Sequence, residues 1–305
     1  MARDSRQLMV ISSLTLTLAV GWLVYGVRYD VLDAYRGWQR GPLPVAIPRL
    51  EFERAVSGVP TAQAEMDQMV ETTSTTTLDS AVAANNTTAE SKTEEVPLKI
   101  VINEALPTAA TPKTEPALPP AVNLKIPFMV QAPTQNWDTL HGEACEEASA
   151  IMLAAYYNNE DEITIEEAES RIMDAVTFEA ETYGYHLDTT AAETARTLRE
   201  HFDISGARVV TLNSIEDIKV SLAAGHPVIV PAYGKTLGNP NFRNGGPLYH
   251  MLVIKGYTET HFITNDPGTR RGANYIYDFQ TLWDAIHDWN GGDVQSGAKV
   301  MIAVR

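Results

Sequence analysis

Apolar and polar positions divide this chain into three regimes. Leu8 to Val27 is an apolar run of 20 residues without Asp, Glu, Lys or Arg. At a rise of 1.5 Å per residue such a helix spans about 30 Å, one hydrocarbon core. Arg3 and Arg6 precede it, Arg28, Arg36 and Arg40 follow it, and Trp22 and Tyr25 fall near its far end. The run exceeds a typical signal-peptide core and no clear small-x-small site follows, so residues 1–29 read as an uncleaved transmembrane anchor. The arginines on its two sides nearly balance, and the tether-like sequence beyond favours the N-terminus inside. From residue 30 to 121 the periodicity fades into Thr72-Thr73-Ser74-Thr75-Thr76-Thr77, Asn85-Asn86-Thr87-Thr88 and the prolines 107, 112, 116, 119 and 120. Such sequence buries too little apolar surface to offset chain entropy, so this span reads as a disordered stalk.

Residues 122–305 carry regular patterns, and these predict an ordered domain. Leu124 to Gln131 alternates like a short edge strand. A helix is predicted from about Ala144 to Tyr157, with Ala148, Ile151, Met152 and Ala155 on its core stripe. Thr164 and Glu167 form a capping box that opens a second helix to about Val176. Asp188 or Thr189 caps a third, ending near His201, and Ser214 caps a fourth, which Gly225 stops. The period then becomes that of strands: Pro227–Tyr233, Tyr249–Tyr257 and His261–Asn265, with Thr258–Thr260 as a tight hairpin link. Asn274–Tyr277 reads as a further strand, Asp278 caps a last helix, and Lys299–Val304 closes the sheet. Helices first and antiparallel strands second make an α+β domain.

The formal net charge of −16 argues against nucleic acid as a partner. Within 122–305 there are 25 acidic and 13 basic residues, and most of the acids fall on predicted helices, where they read as solvated faces. A single cysteine rules out an intramolecular disulfide and any multi-cysteine zinc site. His141 and Glu143 form a His-x-Glu pair, but zinc deaminases need two or three cysteines besides, so no metal or cofactor is called for. The sequence gives no oligomeric state.

That cysteine, Cys145, stands where a loop becomes a helix. Unpaired N–H groups and the helix dipole favour an anion there, which activates a thiol. Glu146 and Glu147 follow it directly, and neighbouring carboxylates oppose the thiolate. A thiolate nucleophile needs a base, and the base needs an orienting group. His250 begins one strand and Asp266 follows the next, so a hairpin brings the two together. The Gly245-Gly246-Pro247 loop is placed over such a cleft, and Trp137 either lines it or packs beneath it.

Three pieces in this order resemble the C39-like peptidases, a branch of the papain-like cysteine peptidases. They are Ile126–Gln131 ahead of Cys145–Ser149; Leu222–Val230; and His250–Tyr257 with Thr264–Pro267. The resemblance covers about Leu124 to Val304 and implies a papain-like fold in which a cysteine helix packs on an antiparallel sheet. It implies Cys145 as nucleophile, His250 as general base, Asp266 as the group orienting the imidazole and Gln131 as an oxyanion donor. The loop from Gln131 to Cys145 is longer than the common spacing, which makes Gln135 or Asn136 substitutes for Gln131. The expected protein is therefore a membrane-tethered, extracytoplasmic thiol peptidase acting on peptides or proteins. Two other functions fit the same residues: a non-catalytic surface binding module, and a cell-wall peptide amidase or acyl-transferase.

Overall fold

The computed structural model describes residues 41–57 and 117–304, with isolated positions between 27 and 37. The anchor expected at residues 1–29 and most of the stalk expected at 30–121 lie outside the described residues. No helix among the described residues is long and apolar enough to cross a membrane.

The elements in chain order are α1 (Arg49–Ser57), β1 (Val122–Asn123), α2 (Thr139–Gly142), α3 (Cys145–Tyr157), α4 (Ile165–Tyr183), α5 (Ala191–Glu200), β2 (Ala207–Thr211), α6 (Ile215–Ala223), β3 (Val228–Ala232), β4 (His250–Tyr257), β5 (His261–Asn265), β6 (Tyr275–Asp278), α7 (Phe279–Ala285) and β7 (Val300–Val304). The strands form one antiparallel sheet in the order β2-β7-β3-β4-β5-β6, with β1 paired to the end of β4. All eight residues of β4 are buried, as are all five of β3 and all five of β7. A strand covered on both faces reads as a continuous apolar run.

One face of this sheet is covered by α3. Beyond Glu147 its sequence is Ala, Ser, Ile, Met, Leu and Tyr, and all but Tyr157 of the helix is buried. A helix apolar all round belongs inside a fold. It packs across β3 and β4 and is covered in turn by α4 and α5. The core therefore lies between α3 and the sheet, and the N-terminus of α3 points at the start of β4.

The expected helices form, with two differences at their ends. The Thr164–Glu167 capping box is present, but α4 runs on to Tyr183 and is ended by Gly184 in the left-handed region. The third helix is capped by Thr190, not by Asp188 or Thr189: the Glu193 N–H reaches Thr190 Oγ1 at 3.3 Å, and the Thr190 N–H reaches Glu193 Oε2 at 2.8 Å. Thr189 is buried instead, its hydroxyl against that of Thr194 at 3.1 Å.

Leu124–Gln131 is not the expected edge strand, because bonding to β4 ends at the Leu124 N–H, which donates to Lys255 O at 2.9 Å. Pro127 has no N–H to give a ladder. The carbonyls of Ile126 and Pro127 accept from Asn265 Nδ2 at 3.2 and 3.4 Å, and the Gln131 N–H donates to Pro267 O at 3.0 Å. The segment is thus pinned to the end of β5, where Asp266 stands.

Part of the span read as stalk is ordered against the domain. The Ile47 N–H donates to Asn123 O, and the Lys125 N–H to Ile47 O, both at 2.8 Å. In α1, Phe52 packs over Gly225 and the Arg49 guanidinium lies 5.1 Å from the Tyr157 ring centroid, donating to the Tyr157 carbonyl.

Candidate active site

The β4–β5 hairpin sets Val253 opposite Asn265, so the residues past Asn265 fold back beside the start of β4. There His250 Nε2 meets Asp266 Oδ1 at 2.8 Å, with both side chains buried. An ionised carboxylate only accepts, so Nε2 carries the hydrogen and Nδ1 is left as the basic nitrogen. Asp266 Oδ1 also accepts from the Gly268 N–H at 3.0 Å, while Oδ2 accepts from the Tyr277 hydroxyl at 2.6 Å and Asn239 Nδ2 at 3.3 Å. Burial alone would raise the Asp266 pKa; the attraction of His250 and these donors outweighs it, and the pKa lies below the usual carboxylate value. Phe242 sets its ring edge-on to the imidazole at 5.3 Å. Gly268 is needed beside it: a methyl group there would stand 2.9 Å from both His250 Cε1 and Phe242 Cε1.

Asn239, Phe242 and Tyr277 carry no sequence signal for this role. Asn239 and Phe242 lie in a loop without periodicity, and Tyr277 reads as an ordinary strand aromatic. Only the register of β5 with β6, which pairs Phe262 with Tyr277, turns that hydroxyl toward Asp266.

Cys145 opens α3 and is buried, with 5% of its surface exposed. It lines a cleft of about 600 Å³ together with Gln131, Trp137, Tyr249 and His250. Its thiol donates to Glu146 Oε2 at 2.9 Å, not to His250. Burial, then the Glu146 carboxyl, push the thiol pKa well above its ordinary value, and a backbone hydrogen bond from Met251, next to His250, opposes them. The activating effect of the helix start is outweighed in this geometry.

Glu146 and Glu147 are not on a solvated face, as their helical position suggested, and neither is Glu179 of α4; all three are at most 1% exposed. Burial raises Glu146 to about 8 and Glu179 to about 7, and raises Glu147 with further help from the Glu179 charge. Near neutral pH Glu146 and Glu147 are thereby held largely protonated, while Glu179 titrates there. Glu146 can accept the thiol hydrogen and still carry no charge.

Gln131 is buried at the cleft, but its amide is already engaged: Nε2 donates to His141 O at 3.0 Å and to Gly142 O at 2.8 Å. In this geometry it ties down the loop ahead of Cys145. Gln135 accepts from Arg270 and Asn136 donates to Asp138, both at exposed positions, and neither lines the cleft. His141 is buried between Asp138 and Glu169, at 2.8 and 2.9 Å, and so fixes the same loop to α4. Among the described residues no group of three or more His, Cys, Asp or Glu side chains could hold a metal ion. Trp137 lines the cleft, as do Gly246 and Pro247 of the loop expected to lie over it.

The Peptidase_C39 like family matches residues 123–291, more than half of the chain. Among solved structures, the chain is similar to a Bacillus anthracis protein provisionally assigned as a C39-like peptidase. The identity is 18%, with 61% of this chain and 98% of that chain covered and a TM-score of 0.41. No curated protein matches. With a family match of this extent over the α+β domain that holds Cys145, His250 and Asp266, the chain belongs to the Peptidase_C39 like family.

Proposed function

We propose that this chain is a thiol-dependent peptidase with Cys145 as nucleophile, His250 as general base and Asp266 as the residue that orients it. One observation carries the reading: a buried His250–Asp266 pair at 2.8 Å opens into the same cleft as the chain's only cysteine. The thiol turns from Glu146 toward His250 Nδ1 and gives up its proton there. The sulfur attacks the peptide carbonyl carbon, and N–H groups at the start of α3 receive the oxyanion. Gln131 joins them when its amide exchanges a loop carbonyl for the oxyanion. His250 protonates the departing amine, leaving a thioester on Cys145. Water, deprotonated by His250, then releases the acid and restores the thiol.

The apolar run Leu8–Val27 supports a membrane tether, and the stalk-like sequence after it supports an extracytoplasmic face for the domain. The thiol–Glu146 contact favours the second reading, a binding module that keeps the fold without the chemistry. Incubation of the full chain with a defined mixture of peptides, read by mass spectrometry, separates the two. The peptidase reading requires new termini that appear with the native chain and not with Cys145→Ala; identical mixtures from both would leave the binding module.

A further inference from the structure

The charges at the cleft run against those of the molecule. The domain carries 25 acidic residues against 13 basic ones. The cleft lining, however, includes Arg243, Arg270 and Arg271 and no carboxylate. Among the described residues, neither Arg243 nor Arg270 pairs with a carboxylate. The Arg243 guanidinium lies 5.8 Å from the ring centroid of Trp137, which also lines the cleft. Arg270 donates to the neutral amide oxygen of Gln135 at 2.7 Å. Arg271 differs, because it pairs with Asp30 at 2.5 Å. Contact with an aromatic face or an amide oxygen orders a guanidinium and leaves its charge and remaining donors available. On the near side the Asp138 carboxylate is engaged by the backbone and ring of His141.

We infer that the substrate is an acidic peptide, with carboxylates flanking the bond that faces Cys145, and that Arg243 and Arg270 select it. The inference rests on the peptidase reading. It explains how a chain with a net charge of −16 can accept an anion: a low-dielectric cleft focuses the local field, and the bulk charge beyond about 10 Å is screened at 0.1 M salt. Arginine suits the role because its planar fork meets a carboxylate with two parallel hydrogen bonds.

Because the chain has one cysteine, two small reagents of nearly the same shape test the charge at the sulfur directly. Iodoacetate is an anion and iodoacetamide is neutral; each forms a carbon–sulfur bond as iodide leaves and the thiol proton passes to solvent. The full chain in detergent is alkylated with each at pH 7 and the adduct followed by intact mass, with N-acetylcysteine as the free-thiol reference. The iodoacetate-to-iodoacetamide rate ratio should exceed the reference ratio by about five-fold or more at low salt, the upper end for one partly exposed charge pair. It should fall as salt is added and drop toward the reference in the Arg243→Gln, Arg270→Gln double variant. A reference-like ratio in the native chain, with iodoacetamide still reacting, overturns the acidic substrate and spares the thiol chemistry. No alkylation by either reagent overturns the nucleophile and the inference with it. In peptide digests, cut sites should be rich in Asp and Glu, and Glu→Gln versions of cleaved peptides should be cut at least about ten-fold more slowly, the loss of one charged contact. Equal cutting of both overturns the inference.

Discussion

At the scale of single residues, the imidazole is held by more than its carboxylate. Tyr277 and Asn239 hydrogen-bond the oxygen of Asp266 that does not face His250, and so aim the one that does. Tyr277→Phe should slow acylation of Cys145 by about three- to ten-fold, the value of one buried hydrogen bond. Asp266→Asn should cost about 100-fold or more, since an amide can present its N–H to His250 and reverse the tautomer. Stopped-flow acylation rates check the order; equal losses in the two variants would show that Tyr277 does not act through Asp266. Glu146 governs the thiol itself. Glu146→Gln keeps an acceptor for the thiol hydrogen but cannot ionise, so the thiol pKa should fall and alkylation above pH 8 should quicken relative to the native chain. Slower alkylation in the variant would contradict this. The placement of Cys145 at a helix start, His250 at a strand start and Asp266 just past the next strand was legible in the sequence, because each stands at an element boundary that a pattern can place. The burial of Glu146 and Glu147 was not, because a helix apolar all round has no solvated face to reveal by period, and that of Glu179 was not, because the expected second helix stopped near Val176, one turn short of it.

At the scale of elements, the hairpin and the cysteine helix were the most readable parts, and the segments whose bonds run to distant partners were the least. Leu124–Gln131 alternates like a strand, yet its carbonyls go to the Asn265 side chain. β2 was missed altogether, since Ala207 to Thr211 is mostly exposed and has no alternating burial to mark it. The least expected element is α1, docked through Phe52 and Arg49 although it lies in sequence read as stalk. A helix of nine residues is marginal alone, so packing holds it. Phe52→Ala should therefore raise amide hydrogen exchange across residues 49–57 by about ten-fold or more while the exchange of β4 stays unchanged. Exchange unchanged at both places would show that Phe52 does not hold the helix.

At the scale of the whole molecule, the buried carboxyls set the response to pH. In an unfolded chain their ordinary value is 4.5, whereas in the fold Glu146 lies at about 8 and Glu179 at about 7. Between those values the folded state binds more protons than the unfolded one. The stability these groups contribute is therefore full below about pH 4.5 and is lost as pH rises through about 7 to 8. Each fully titrating group changes the stability by about 1.4 kcal/mol per pH unit. The melting temperature should fall from pH 5 to pH 8, and Glu146→Gln should flatten that fall. A melting temperature that rises over this window would mean that the carboxyls are ionised in the fold.

The central claim, that Cys145 forms an acyl-enzyme with help from His250, is tested most directly with an activated ester that needs no specific cleft. Mixing the chain with p-nitrophenyl acetate should release a burst of one p-nitrophenolate per chain and add one acetyl group to Cys145, detected by intact mass and peptide mapping. Cys145→Ala should abolish the burst, and His250→Ala should slow it by about 100-fold or more, the usual contribution of a positioned base. A burst of the same rate in His250→Ala, or acetylation confined to other residues, would contradict the account.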